Sequence, residues 1–280
     1  MQVTTVSELR ALLGEHRRAG DTVGFVPTMG YLHDGHASLM REAARSSDLV
    51  VVSVFVNPLQ FGAAEDLDSY PRDLERDSEL ARESGVDVLF VPSLEEMYPR
   101  PVATTVAVDE LSNVLDGAAR PGHFAGVATV VAKLFNIVGP CNAYFGLKDF
   151  QQLAVIHRMV TDLSMPVTVV GCPTVRDRDG LALSSRNSYL TRDERAAAPV
   201  IHRALQAGAA ALMAGEDDID VVQKLMADIV NAEPLARLDY VTVVDADSLS
   251  VPERPAGNLR LLAAVGLGRA RLIDNVGVTL

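Results

Sequence analysis

The stretch of residues 22–36 reads TVGFVPTMGYLHDGH, and it decides the interpretation of the fold. Its first part, residues 22–26, is a short apolar run typical of a buried strand, and residues 35–46 have the pattern of a helix. Gly30 lies between these patterns and Gly35 at the start of the second, and both allow the backbone to approach a ligand closely. The stretch therefore predicts a strand, a ligand-binding loop and a helix N-terminus, where unpaired amides favour anions.

Strand and helix patterns alternate through most of the chain before Pro173. The further strands are predicted over residues 49–56, 86–91, 143–145 and 167–170, and the further helices over residues 72–84, 125–137 and 150–163. Such alternation is typical of a parallel sheet covered by helices on both faces. We therefore predict an α/β fold built on a doubly wound parallel sheet.

The pattern changes after Pro173, where helices follow helices and strands follow strands. Helices are predicted over residues 192–213 and 220–230, and strands over residues 238–244, 259–265 and 271–276. Consecutive elements of one kind indicate a small α+β domain. We predict a first domain of residues 1–174 and a second domain of residues 175–280.

The composition argues against several classes of protein. A net charge of −12 disfavours nucleic-acid binding, because a nucleic-acid binder needs excess Lys and Arg to displace counterions. No apolar run reaches the roughly 18 residues that would span a bilayer. The two cysteines, Cys141 and Cys172, are too few for a disulfide scaffold or a four-thiolate metal site, and we expect a cytoplasmic protein.

His33 and His36 stand three residues apart at the predicted helix N-terminus, on one face if the helix has begun. Two imidazoles there could donate hydrogen bonds to phosphate oxygens and stabilise charge that develops in a transition state. An arbitrary histidine pair more often consists of one helix cap and one solvated side chain. A metal site is less expected still, because the His-Glu-x-x-His spacing is absent.

Polar segments also follow other predicted strands. Residues 57–62 and 146–152 each come after a strand, and the carboxyl ends of parallel strands meet at one edge of a sheet. Residues 184–187, Ser-Ser-Arg-Asn, suit the β- and γ-phosphates of a nucleotide, although a polar linker is an equally good interpretation. Residues 120–126 fit either a mobile flap or a simple connection.

These segments carry a resemblance to known families. Residues 33–36 resemble the His-x-Gly-His motif of nucleotidylyl transferases and class I aminoacyl-tRNA synthetases. A larger ordered set of motifs resembles the pantothenate synthetase (pantoate–β-alanine ligase) family. That set comprises residues 27–36, 55–61, 70–72, 120–124, 145–149 and 179–187. The ordered set covers most of the chain and is much more specific than the histidine motif alone.

The resemblance implies a fold, a reaction and an assembly. The fold would be a Rossmann-like N-terminal domain with a C-terminal α+β lid, in a cytoplasmic homodimer. Pantoate would attack the α-phosphate of ATP with Mg²⁺ as cofactor, giving pantoyl adenylate and pyrophosphate. The amine of β-alanine would then displace AMP and give pantothenate. Such a reaction needs alignment and charge stabilisation rather than a protein nucleophile.

The resemblance also implies roles for individual residues. The ATP site would be lined by Met29, Gly30, Tyr31, Leu32, His33, Asp34, Gly35, His36, Gly146, Leu147, Lys148, Asp149, Val175, Leu183, Ser184, Ser185 and Arg186. His36 would be the catalytic histidine with His33 beside it, and Lys148 would neutralise phosphate charge. Gln60 and Gln152 would bind pantoate, and Gln60 would also neighbour β-alanine. A role near Mg²⁺ would fall to Asp77.

Two other functions stay open at this point. Another nucleotidylyl transferase would be expected to act on a phosphorylated alcohol, but the neutral Gln60 and Gln152 suit pantoate better than a phosphate, which would call for arginine. A non-enzymatic nucleotide-binding regulator would have no need for Lys148, both histidines and the Ser-Ser-Arg cluster together. An aminoacyl-tRNA synthetase is disfavoured by the acidic charge.

Overall fold

The computed structural model describes residues 1–62, 67 and 70–280, which form two compact units. The first unit consists of Met1–Leu147 and Gln152–Pro173, and the second of Lys148–Gln151 and Thr174–Leu280. The division after Pro173 lies beside the boundary predicted from the sequence. The short segment Lys148–Gln151 belongs to the second unit, although the chain on both sides of it belongs to the first.

The first unit is built on one parallel sheet. Its strands are β1 (Gln2–Val3), β2 (Val23–Thr28), β3 (Leu49–Val54), β4 (Val88–Phe90), β5 (Cys141–Gly146) and β6 (Val167–Cys172). The helices are α1 (Val6–Ala19), α2 (Asp34–Ser46), α3 (Leu74–Glu83), α4 (Leu94–Met97), α5 (Asp109–Ser112), α6 (Asp116–Ala119), α7 (His123–Val138) and α8 (Phe150–Asp162), of which Phe150 and Gln151 belong to the second unit. The strand order is β1-β4-β3-β2-β5-β6, and every strand pairing is parallel.

The centre of the sheet explains where a ligand can bind. Phe25 and Val26 in β2, like Val51 and Val52 in β3, are fully buried, as expected for parallel strands covered on both faces. From β2 the chain proceeds to β3 on one side, and it later returns to β5 on the other side. This reversal is a topological switch point, and ligands of such sheets bind beyond the carboxyl ends of the strands there.

The second unit has its own sheet and its own core. Its helices are α9 (Arg192–Ala197), α10 (Val200–Met213) and α11 (Ile219–Asn231), and its strands are β7 (Ala236–Asp245), β8 (Asn258–Leu267) and β9 (Ala270–Thr279). The strands form an antiparallel sheet in the order β7-β8-β9. Ile201, Leu205 and Leu261 are among the side chains of its core. The predicted doubly wound sheet followed by an α+β unit is therefore confirmed.

One sequence-based expectation needs correction. A single helix over residues 192–213 is wrong, because the chain forms α9 and α10 with Pro199 between them. Proline has no amide N–H and disrupts a helix interior, so α9 ends at Ala197. Strand β1 and helices α1, α4, α5 and α6 were not predicted, although the N-terminus of α1 carries a readable signal. Thr5 and Glu8 form a capping box there. Among the described helices, none is long and apolar enough to cross a membrane.

Candidate active site

The loop between β2 and α2 has an unusual backbone. Gly30 has a φ of 85° and Tyr31 a φ of 49°, and the left-handed region is uncommon for a residue with a bulky side chain. A Cβ atom on Gly30 would lie 2.9 Å from Val54 and 3.0 Å from a carboxylate oxygen of Asp77. Only glycine fits this position, and Tyr31 needs an external partner to hold its conformation.

Asp77 of α3 is that partner. Its Oδ2 accepts a hydrogen bond from the amide of Tyr31 at 2.7 Å, and its Oδ1 accepts one from the amide of Leu32 at 2.6 Å. The side chain is almost fully buried, and burial raises the pKa of its carboxyl above the usual value while the two amides oppose that rise. Asp77 therefore fixes the backbone immediately before the histidine pair.

The predicted role of Asp77 near Mg²⁺ stays a prediction. Both of its oxygens already have amide donors. Within the described ranges, no three His, Cys, Asp or Glu side chains cluster so that they could hold a metal ion. Asp77 is therefore not part of a cluster of three such side chains among the described residues.

The two histidines at the start of α2 are held in a defined chemical form. His33 is the N-cap of α2, and its Nδ1 accepts a hydrogen bond from the amide of Gly35 at 3.1 Å. The Nδ1 of His36 accepts one from the amide of His33 at 3.3 Å, and the ring centroids are 4.1 Å apart. A neutral imidazole whose Nδ1 accepts must carry its proton on Nε2. The pair thus combines helix capping with two Nε2–H donors. Capping the helix and donating to phosphate oxygens, which the sequence offered as alternatives, are therefore compatible.

Gln60, which follows β3, lies against the loop that follows β2. Its Nε2 donates to the sulfur of Met29 at 3.1 Å, and its Oε1 accepts from Nδ2 of Asn57 at 3.2 Å. Only 8% of Gln60 is exposed. Gln60, predicted to bind pantoate, and Met29, predicted to line the ATP site, are thus neighbours within the first unit.

A second set of side chains supports Gln60 and Asn57. The hydroxyl of Tyr98 donates to Oδ1 of Asn57 at 2.9 Å, and burial raises the pKa of that phenol to about 12, so it stays a donor at neutral pH. Nδ1 of His123 donates to the carbonyl of Gln60 at 2.8 Å. Nε2 of the same ring accepts from Arg120 at 3.0 Å. His123 therefore contacts Gln60 directly, and Arg120 holds the His123 ring, so this segment does more than connect two helices.

The approach of α7 to this loop depends on one glycine. A Cβ atom at Gly126 would lie 2.2 Å from the carbonyl oxygen of Leu59, and Nδ2 of Asn57 donates to the carbonyl of Gly126 at 3.1 Å. Any larger residue would push the helix away from the segment that carries Gln60. The predicted residues Gly146 and Leu147 follow in the first unit at the end of β5, and Gln152 lies half-buried in the first turn of α8.

The second unit brings together another group of the predicted nucleotide residues. The amide of Leu183 donates to the carbonyl of Val175 at 3.0 Å, across a turn that contains Gly180 with a φ of 95°. Ser184 then caps a short 3₁₀ helix, Ser185–Tyr189, by accepting from the amide of Arg186. A run that was ambiguous in the sequence is therefore an ordered turn.

Lys148 belongs to this second group. It lines a small pocket together with Ser184, Asn187 and Asp274. Its ammonium group lies 3.2 Å from Oδ1 of Asp149, and 18% of the lysine side chain is exposed. A cation that is largely desolvated but still accessible interacts strongly with an incoming anion.

Sequence reasoning missed the side chains that hold these groups in place. Asn57 and His123 were noticed only as parts of motifs, and Tyr98 was not singled out. Residues 274–275 form a polar pair between apolar residues of β9, and both side chains are buried. That interruption was a usable signal, because a polar residue is buried in a strand only when it has hydrogen-bond partners.

The comparisons with known proteins identify the family. Residues 1–277 match the family model described as pantoate-beta-alanine ligase. The chain belongs to the pantoate-beta-alanine ligase family. The resemblance and the ligase function expected from the sequence are thereby confirmed, and the two alternative functions lose their support.

Individual relatives cover nearly the whole chain. A pantothenate synthetase of Heliobacterium modesticaldum is 55% identical over 276 residues, which is 99% of this chain and 98% of the relative. The crystal structure of pantothenate synthetase from Thermus thermophilus has a TM-score of 0.95 and 51% identity, and covers 100% of this chain and 99% of its own. A pantoate-beta-alanine ligase from Francisella tularensis, solved with beta-gamma ATP and beta-alanine, has a TM-score of 0.80 and 34% identity, with 99% and 97% covered.

Proposed function

We propose that this enzyme makes pantothenate in two steps through pantoyl adenylate. In the first step a carboxylate oxygen of pantoate attacks the α-phosphorus of ATP, a new O–P bond forms, and the bond to pyrophosphate breaks. In the second step the amine of β-alanine attacks the acyl carbon, a C–N bond forms, and AMP leaves with the former carboxylate oxygen. The amine loses its proton in this step. AMP is a far better leaving group than oxide, which is why the acid is first activated.

The observation that carries this proposal is the histidine pair at the switch point. Two Nε2–H donors at a helix N-terminus suit the charge that builds up on oxygens around an attacked phosphorus atom. Gln60 supports the assignment of the acid substrate, because its neutral amide lies against Met29 of the same loop. His36 would stabilise the transition state, with His33 beside it.

Gly146 and Leu147 of the first unit are further assigned nucleotide contacts, and others are assigned to residues of the second unit. Lys148 would neutralise phosphate charge, and Ser184, Ser185 and Arg186 would bind the β- and γ-phosphates with charge-assisted hydrogen bonds. When bound, Mg²⁺ would neutralise further phosphate charge. It commonly keeps several waters and binds through substrate phosphates, and we propose a metal delivered with ATP. A cytoplasmic homodimer is proposed on the family resemblance alone.

Pyrophosphate exchange tests the intermediate. With pantoate present and β-alanine absent, labelled pyrophosphate should enter ATP, because the adenylate forms reversibly before the amine arrives. Incorporation of label into ATP measures this directly. Exchange that requires β-alanine would indicate a concerted route and contradict a free adenylate. Release of ADP and phosphate would mean attack at the γ-phosphorus and would overturn the proposal.

Truncation of the two glutamines tests the pantoate site. Gln60→Ala and Gln152→Ala should each raise the KM for pantoate by about 2- to 13-fold, since a neutral hydrogen bond contributes about 0.5–1.5 kcal/mol. The KM for ATP should change much less. Asn136→Ala is the matched control, because it removes a side-chain amide that donates to the carbonyl of Ala132 within α7. A collapse of ATP binding with an unchanged pantoate dependence would contradict the assignment.

A further inference from the structure

Lys148 is attached to the second unit by a buried amide. Nδ2 of Asn275, in β9, donates to the carbonyl oxygen of Lys148 at 2.9 Å, and only 4% of Asn275 is exposed. This hydrogen bond fixes the main chain of Lys148, from which the lysine side chain extends. It also accounts for part of the grouping of Lys148–Gln151 with the second unit.

Arg260 of β8 orients the same amide from its other side. Its Nη1 donates to Oδ1 of Asn275 at 3.3 Å, which fixes which end of the amide faces Lys148. The guanidinium also lies over the ring of Phe150, 4.1 Å from its centroid. Phe150 follows Lys148 by two residues, so the segment is held both by its main chain and by an aromatic ring.

Arg260 occupies an environment that disfavours its charge. Burial lowers the pKa of its guanidinium, and it has no carboxylate partner within salt-bridge distance in the part of the chain that the structure describes. Its Nε is also without a hydrogen-bond partner there. A partly buried cation without a counter-ion contributes little to stability. Its contacts to Asn275 and Phe150 instead indicate that Arg260 orients the residues around Lys148.

The main chain of Asn275 is itself fixed by an ion pair. Arg176 binds Asp274 through both guanidinium nitrogens, at 2.5 and 2.8 Å, and also donates to the carbonyl of Asn275 at 3.2 Å. Oδ1 of Asp274 accepts from the amide of Asn275 at 2.7 Å. Asp274 and Lys148 line the same pocket. The contacts that hold Lys148 in place are therefore connected, through Asn275, to Asp274 in the pocket that Lys148 lines.

We propose that Asn275, oriented by Arg260, is a positioning residue for Lys148: the Asn275–Lys148 hydrogen bond and the Arg260–Phe150 stack place the lysine ammonium for phosphate neutralisation. This inference rests on the proposed role of Lys148 in the reaction. It assigns a function to Asn275, whose contacts include Lys148, Arg260 and its neighbour in β9. A misplacement of about 1 Å at a reacting centre lowers a rate by up to about a hundredfold.

The test is a double-mutant cycle on pyrophosphate exchange. Asn275→Ala in the wild-type background should lower the exchange rate about 10- to 100-fold and leave the KM for pantoate unchanged. In the Lys148→Ala background the same change should lower the rate less than about twofold, because its effect passes through the lysine. Asn275→Asp keeps the shape and an acceptor for Arg260 but has no donor for the carbonyl of Lys148. It should lose as much activity as the alanine variant.

Controls separate positioning from simple stability. Gln223→Ala removes side-chain hydrogen bonds to Thr242 and Val243 in the same unit, and should leave the exchange rate unchanged. Thermal unfolding of every variant identifies any that fails to fold, and Asn275→Asp carries the test if the alanine variant does. Equal losses in both backgrounds, or full activity of Asn275→Asp, would overturn the positioning role. Normal exchange by Lys148→Ala alone would overturn the proposed role of Lys148 and this inference with it.

Discussion

Replacing His36 with alanine is expected to lower the rate of adenylate formation by about 10²- to 10³-fold while the protein stays folded. The ring's Nδ1 accepts from the amide of His33, so its Nε2 carries the proton and donates. The donor acts on charge that develops only as the α-phosphorus is attacked, so its loss should reduce kcat more than ATP binding. Pyrophosphate exchange measures the rate, and thermal unfolding measures the fold.

Two conservative variants separate the functions of the two ring nitrogens. The amide nitrogen of glutamine reaches the region of Nε2, so His36→Gln should recover part of the rate. The shorter His36→Asn can replace only the bond made by Nδ1, so it should restore stability without restoring activity. Ser38→Ala is the matched control, because it removes a hydrogen bond to Gly35 in the same helical turn. Full activity in His36→Ala, or equal rates for the glutamine and asparagine variants, would contradict the donor role.

The sequence was sufficient for the architecture because the deciding signals are local. The apolar run of β2, the glycines of the following loop and the histidine pair all lie within fifteen residues, 22–36. The periodicity and composition of apolar residues indicate which side chains are buried. A strand that is buried on both faces indicates a parallel sheet covered by helices. The same reasoning failed at Pro199, where strong helix formers on both sides outweighed a single residue that ends a helix.

The support of the candidate site was beyond the sequence because it depends on long-range pairs. Asp77 contacts Tyr31 across 46 positions, and Asn275 contacts Lys148 across 127. No periodicity records which of many acidic or amide side chains will be buried against a particular main-chain group. Asp77 is an example: the sequence suggests a metal for a carboxylate near a proposed phosphate site, but it does not show that both oxygens accept from amides of the loop after β2.

The histidines and Asp77 belong to one local arrangement. A buried carboxylate with a raised pKa is unfavourable in itself, and Tyr31 has a strained φ. The left-handed backbone directs the amides of Tyr31 and Leu32 towards the carboxylate of Asp77, and their hydrogen bonds offset the cost of burying it. The same hydrogen bonds hold the strained backbone in place. Backbone strain of this kind persists only where the surroundings hold it in place. The histidine pair follows directly, so its placement depends on a residue of a different helix.

Asp77→Asn is therefore expected to lower kcat by about 10- to 100-fold without changing the dependence on Mg²⁺. An asparagine has one acceptor oxygen in place of two, so either the amide of Tyr31 or that of Leu32 loses its partner. A stranded buried amide costs about 1–3 kcal/mol, and the loop can avoid this cost by moving, which displaces the histidines. Relief from burying a charge offsets part of the cost, so thermal stability should change less than activity.

Titration of the rate with Mg²⁺ distinguishes this role from metal binding. If Asp77 positions the loop, the variant and the wild type should reach half-maximal rate at the same Mg²⁺ concentration, within about twofold. Asp73→Asn is the matched control, since Asp73 is an exposed carboxylate that caps the same helix α3. It should keep normal kcat. A variant that needs much more Mg²⁺, and recovers its rate when Mg²⁺ is saturating, would show that the carboxylate serves the metal and that the loop-positioning role is wrong.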